Sequence, residues 1–427
     1  MIYVILIAGL LVGAPIAFAI LASLSYFMAT GDAPYNLRIV ATELFNGLNS
    51  YPLLAIPLFV LAGELMNESG ITGRIIAFAN VLVGRMRAGL AMVNIWASVI
   101  FAGLSGSAVA DTSAIGRVFI PEMEKHGYDR AYAAALTAAS SVIGPIIPPS
   151  IPVIIYALIV TGVSVPALFM AGIIPGLLLA VFLSVYVMLT VDMKKINAAS
   201  AALNEEKQPA REALLGGILP LLMPVFVVGS ILMGVVTPTE AASFAVAYAL
   251  VIGTFVYRKI KISALPRLFT EAMRDSAVIM IIIAAVSAAN WLLTYNRVPN
   301  MLTDWVLGNV DSKTTFLIAV IILFLFVGLF LEGIAAMLVL VPILHPIAVS
   351  FGIDPVHFGI LVIFNLMIGL ITPPLGLCLF VAEGIAGVGM ARLTKAILPF
   401  FLVEVAVLLV LTFVPETVTW LPTALGY

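Results

Sequence analysis

Apolar stretches of roughly 18 residues or more recur along the chain, separated by short polar turns, the pattern of helices that cross a bilayer. Residues 2–28 predict a first span, retained because it lacks a basic leader and exceeds a signal-peptide core. A polar connector follows through Asp32, Arg38, Glu43 and Asn46. Residues 51–66 are apolar again, with Pro52 and Pro57, and 75–83 predict a brief amphipathic helix. Further spans are expected at 166–189, 214–236, 239–257 and 396–414. In the basic segment 258–274, the periodic Ile262, Leu265, Leu268 and Phe269 predict a helix lying on the membrane surface. Barrel strands would be short and alternating, so a β-barrel is excluded.

Two apolar runs are interrupted in the same way. Gly144-Pro145-Ile146-Ile147-Pro148-Pro149-Ser150 removes three backbone donors, and Gly369-Leu370-Ile371-Thr372-Pro373-Pro374 repeats the break 225 positions later. In lipid, such breaks survive only where protein or a watery cavity covers the freed carbonyls. Ahead of each break, two half-length apolar arms surround a tip, as in a re-entrant hairpin. The first tip is the small, hydroxyl-rich run from Gly103 to Ser113; the second is Leu331-Glu332-Gly333-Ile334. At the same offset Gly103 pairs with Gly328, Pro121 with Pro346, Gly127 with Gly352 and Asp129 with Asp354.

The chain therefore reads as an all-α polytopic membrane protein of two repeats. Residues 1–190 form the first (hairpin 88–120, broken helix 131–160) and 237–427 the second (hairpin 314–342, broken helix 355–385). Residues 191–236 supply a polar cytoplasmic linker and a connecting span. Arg74, Arg85, Arg87, Arg117, Lys125 and Arg130 flank the first hairpin, whereas Arg297 and Lys313 face Asp304, Asp311 and Asp354 around the second. Lys and Arg favour the cytoplasmic side, so the repeats have inverted topology, with the N-terminus inside and the C-terminus outside.

Composition agrees: 63% of 427 residues are hydrophobic and 10% charged, with net charge −2, against roughly 25% charged in soluble domains. No basic tract suggests nucleic acid, and no GxxxxGK[ST] loop suggests ATP hydrolysis. Cys378, the single cysteine, is read as packing, and His126, His345 and His357 fall in expected loops without ligand spacing. Ser107 with Asp111 would need a base to work as a hydrolase, and none lies near, so no enzyme is expected.

Paired broken helices point to a transporter site at mid-membrane, where helix N-termini attract anions and exposed carbonyls suit Na⁺. Hydroxyls sit beside the breaks: Ser105, Ser107, Thr112, Ser140, Ser141 and Ser150, with Thr372 in the second half. Asp111 and Glu332, beside the tips, are candidates because an intramembrane acid is costly without a role. Glu64 and Glu404 read as span ends, helix–helix hydrogen bonds or proton-relay members.

The run from Gly103 to Thr112, together with Gly144 to Ser150, resembles the large membrane subunit of TRAP (tripartite ATP-independent periplasmic) transporters. The resemblance covers essentially the whole chain. It implies an elevator-type carrier in the bacterial inner membrane, Na⁺ as coupling ion with no organic cofactor, a separate four-helix small membrane subunit and a periplasmic binding protein that delivers an organic acid. It places one Na⁺ near Ser105, Ser107, Gly144, Ile147 and Pro149, and a second near Gly328, Gly333, Thr372 and Gly376. Ser105, Ser150 and Glu332, with Asp111, would face substrate. The overall character leans toward a sialic-acid-type member. The alternative is a stand-alone proton-coupled carboxylate carrier in which Asp111 and Glu332 titrate.

Overall fold

The computed structural model describes residues 5, 8–9, 13–30, 37–201, 209–310, 312–329 and 331–427. Asp32, Lys207, Asp311 and most of the first span before Gly13 lie outside the described residues. Among the described residues all regular structure is helical. In the first half these are α1 (Ile16–Thr30), α2 (Leu37–Leu48), a 3₁₀ turn (Tyr51–Leu54), α3 (Ala55–Glu68), α4 (Ile71–Val83), α5 (Gly89–Ser105), α6 (Ala108–Lys125), α7 (Arg130–Ser141), α8 (Ile151–Ile159), α9 (Val165–Thr190) and α10 (Met193–Ala201). After α11 (Ala210–Leu232) come α12 (Pro238–Val251, extended by a π turn to Val256), α13 (Leu265–Tyr295), α14 (Val298–Asn309), α15 (Lys313–Gly328), α16 (Gly333–Ser350), α17 (Pro355–Gly369), α18 (Leu377–Ala386), α19 (Met390–Phe413) and α20 (Glu416–Ala424).

Element bounds recur 225 residues apart well beyond the breaks. α6 and α16 coincide at both ends, α7 and α17 at their starts, and α9 and α19 start together. α11 alone has no counterpart among the described helices. Local chemistry explains the starts: Asp129 accepts hydrogen bonds from Ala131 N and Tyr132 N at the head of α7, and Asp354 does the same for Val356 N and His357 N at α17. Thr237 and Glu240 close a capping box on α12. Among the described residues six helices are long and apolar enough to cross a membrane: α9, α11, α12, α13, α16 and α19.

Several expectations need correction. The first span is interrupted at Gly13–Pro15, where Pro15 lacks the donor a continuous helix needs. The segment 265–274 is no surface helix but the opening turns of α13, which runs 31 residues without a break. Its counterpart, α2 to α3, is bent by 64° at residues 49–50, ahead of Pro52. His345 and His357 sit within α16 and α17, and His357 Nε2 meets Leu411 O at 2.8 Å.

The halves interlock. α8 packs on α16, and α18 packs correspondingly on α6, so each post-break helix lies against the other half's hairpin arm. Tyr156 of α8 is fully buried, its ring against Gly359 and its hydroxyl donating to Pro355 O at 2.8 Å. Tyr156→Phe should cost about 1 kcal/mol, read as a lowered unfolding midpoint in detergent. The hairpins, broken helices, α9 and α19 form one packed body; α1–α3 and α11–α13 form another, joined through α4 and α14 and by direct packing of α3 and α11 on α5 and of α13 on α16.

Candidate functional site

The first tip is the joint between α5 and α6. Gly106 adopts φ +61°, a left-handed conformation that suits glycine, and a side chain there would meet Pro149 O at 3.2 Å. The tip thus rests on the first break. Ser107 caps α6, accepting from Ala110 N at 3.4 Å. Ser105 Oγ accepts from Ser107 N at 3.1 Å and donates to Asp111 Oδ1. Asp111 is fully buried; its Oδ2 has no hydrogen-bond partner and points at the space beside Gly144 that a Cβ would fill.

Beyond α7 the backbone turns through residues 142–149, with a cis Pro148–Pro149 bond, and Ser150 starts α8. Ser150 Oγ donates to Pro145 O and accepts from Val153 N at 3.3 Å, so it knits the break together. Ile147 packs over Gly176 of α9.

The second tip follows α15. Glu332 caps α16, its Oε2 accepting from Ala335 N at 3.1 Å. Gly328 and Gly369 lie backbone to backbone: a Cβ on Gly369 would come within 2.9 Å of Gly328 Cα. Past Gly369, Thr372 Oγ1 donates to Ile368 O at 2.8 Å, Gly376 N donates to Thr372 O at 3.1 Å, and Pro373–Pro374 is again cis. Gly333 lies against Met367.

One cavity of about 1560 Å³ brings both halves together. Its wall includes Ser105 and Ser107 from the first tip, Pro145 from the first break, Glu332 from the second tip and Leu370 from the second break. Gly144, Ile147, Pro149, Gly328, Gly333, Thr372 and Gly376 lie behind this wall. So do Asp111 and Ser150, both expected to face substrate; the turn of α6 and the cap of α8 direct their side chains into protein.

Glu64 lines the cavity, whereas Glu404 is fully buried in α19 with neither carboxyl oxygen hydrogen-bonded, so it marks neither a span end nor an interhelical bond. Cys378 is buried. Among the described residues no group of three His, Cys, Asp or Glu side chains could hold a metal ion.

Sequence reasoning missed a buried polar network behind the first site. Asn94 Nδ2 donates to Thr137 Oγ1 at 2.7 Å, and Ser98 Oγ to Ser140 Oγ at 2.9 Å, tying α5 to α7. Asn94 and Ser98 lie one turn apart on one face, a signal hidden among small residues. A clasp also joins the halves: Arg130 Nε donates to Ala386 O at 2.7 Å and Nη2 to Ile385 O at 3.3 Å, and Asp129 pairs with Arg392. Arg130→Ala should lower stability by about 1–3 kcal/mol through the orphaned end of α18, measured as a drop in unfolding temperature.

Comparison with known proteins places this architecture. Two solved structures share the fold: the Alcanivorax borkumensis YdaH transporter, with TM-score 0.65, 16% identity and coverage of 95% of this chain and 98% of that one, and Neisseria gonorrhoeae MtrF, with TM-score 0.60, 14% identity and coverage of 93% and 92%. The sialic acid TRAP transporter large permease protein SiaM of Vibrio cholerae is 39% identical over 99% of this chain and 97% of its own length. The C4-dicarboxylate TRAP transporter large permease protein DctM of Pseudomonas aeruginosa is 37% identical over 92% and 91%. The family described as "Tripartite ATP-independent periplasmic transporter, DctM component" matches residues 3–417, and this chain belongs to that family.

Proposed function

We propose that this chain is the large permease of a Na⁺-coupled carrier that takes up an organic acid across the bacterial inner membrane. The observation that carries the reading is the shared cavity: two hairpin tips and two helix breaks from 225-residue-spaced segments line one space. Exposed N–H and C=O groups at such tips can serve an anion and a cation together. Around the first tip Asp111 meets the Ser105 hydroxyl and lies with Ser141 O beside Gly144 of the break, and its unpartnered Oδ2 adds a negative oxygen. Hard cations favour such a set. Na⁺ there would satisfy that oxygen and hold the tip on the break; around Gly328, Gly333, Thr372 and Gly376 it would rely on carbonyls.

The packed body of hairpins and broken helices, carried on α4 and α14, is suited to slide as a unit against α1–α3 and α11–α13. The solute is a carboxylate, with sialic acid the first candidate because SiaM is among the relatives. A periplasmic binding protein would deliver it. A separate four-helix subunit would complete the membrane assembly; a related permease of Oleidesulfovibrio alaskensis bears the name DctMQ, and this chain spans 63% of it. The N-terminus would be cytoplasmic and the C-terminus periplasmic.

The test is uptake of labelled sialic acid and of C4-dicarboxylates into proteoliposomes containing this chain and its small subunit. Uptake should require both a Na⁺ gradient and the added binding protein. Full uptake driven by a pH gradient alone would replace this reading with a stand-alone proton-coupled carrier.

A further inference from the structure

One wall of the large cavity carries acids. Glu64 and Asn67 of α3 and Asp275 of α13 line it, and Gly63, beside Glu64, lies against the backbone of Ser105 at the first tip. Among the described residues neither Glu64 nor Asp275 makes an ion pair. The cation on the adjoining turn, Arg267, is engaged by Glu68 at 2.9 Å and Glu271 at 3.4 Å. The third cavity acid, Glu332, is spent on capping α16, where the helix end offsets its charge.

A second, smaller cavity of about 300 Å³ lies between the same two bodies, and α13 walls both. Its residues 275–282 border the large cavity and 283–290 the small one, separated by the apolar stretch around Ile282 and Ile283. The polar groups of the small cavity are Ser50, Ser287 and Asn290, all neutral. The 225-residue offset maps one wall onto the other: Asp275 corresponds to Ser50, which lines the small cavity, and Glu64 to Ala289, beside Asn290. Equivalent positions are thus anionic on one side and uncharged on the other.

We propose that Glu64 and Asp275 form an electrostatic release wall. They hold the large cavity at negative potential, so an anionic solute leaving the tips is expelled and rebinds poorly from that side, while the neutral counterpart wall leaves capture from the other side unopposed. The inference rests on the transport reading for its consequence, but the potential itself is measurable without transport. The two charges act across a water-filled space, so their effect is moderate and screened by salt.

The test places a cysteine at Val278, an exposed cavity residue one turn beyond Asp275, in a Cys378→Ala background. The reconstituted full chain is treated with a cationic and an anionic methanethiosulfonate reagent. The ratio of the two rates cancels the thiol's own ionisation. This ratio should exceed that of Ser287→Cys in the small cavity, and Glu64→Gln with Asp275→Asn should lower it at least about threefold at low salt, each single change giving part of the effect. Solute preloaded on the side of the membrane to which the large cavity opens should then inhibit transport from the other side at an about threefold lower concentration. A ratio unmoved by either neutralisation, in protein whose unfolding temperature matches the parent, would overturn the release wall. A parent that moves no solute, yet whose ratio falls on neutralisation, would instead count against the transport reading alone.

Discussion

Replacing Gly369 with alanine should abolish solute uptake while the chain still inserts in the membrane. The added methyl would sit within 2.9 Å of Gly328 Cα and 3.2 Å of Gly328 C and O, all backbone atoms that cannot rotate away. α15 and α17 would have to separate at the point where the second tip meets the second break. Overpacking of this kind costs about 1–3 kcal/mol, and the displacement falls on the carbonyls proposed to hold a cation. Gly328→Ala should behave alike. Gly384→Ala, in α18 with open space around it, should leave uptake near the parent value and serves as control. Uptake rate and unfolding temperature, measured on all three, separate a local distortion from general misfolding.

Ser105→Ala carries the second large effect. It deletes the donor to Asp111 Oδ1, leaving both oxygens of a fully buried carboxyl without partners, and it removes the acceptor of Ser107 N. An unsatisfied buried group of this kind costs about 1–3 kcal/mol, more if charged. The variant should therefore need about tenfold more Na⁺ for half-maximal uptake, because an ion must then organise a tip no longer held by Ser105. Unchanged Na⁺ activation would dissociate Ser105 from the ion.

Most of the helical framework was legible because the residues that mark it act locally. Proline removes a donor, Asp129 and Asp354 cap the helix they precede, and both recur at one offset. That same offset extends through α9 and α19, further than the motifs alone revealed. The long α13 was not legible. Its basic, amphipathic opening mimics a surface helix; the charge-free apolar run 276–294 follows it directly, and packing against α2 and α3 holds the two as one helix. The tips and breaks were located from sequence, but not which side chains line the cavity. Asp111 and Ser150 sit beside the right turns, yet the rotation of α6 and α8 buries them, a property of packing between distant segments. The contact of Gly328 with Gly369 is likewise tertiary, and nothing local announces it.

The most direct test of a cation-ordered site is hydrogen exchange of the reconstituted chain in Na⁺ and in K⁺ at equal ionic strength. Amides at residues 104–113 and 144–151, and at 328–335 and 369–377, should exchange more slowly in Na⁺, with the spans of α9 and α11 unaffected. Identical exchange at both tips and both breaks in the two salts would contradict the account.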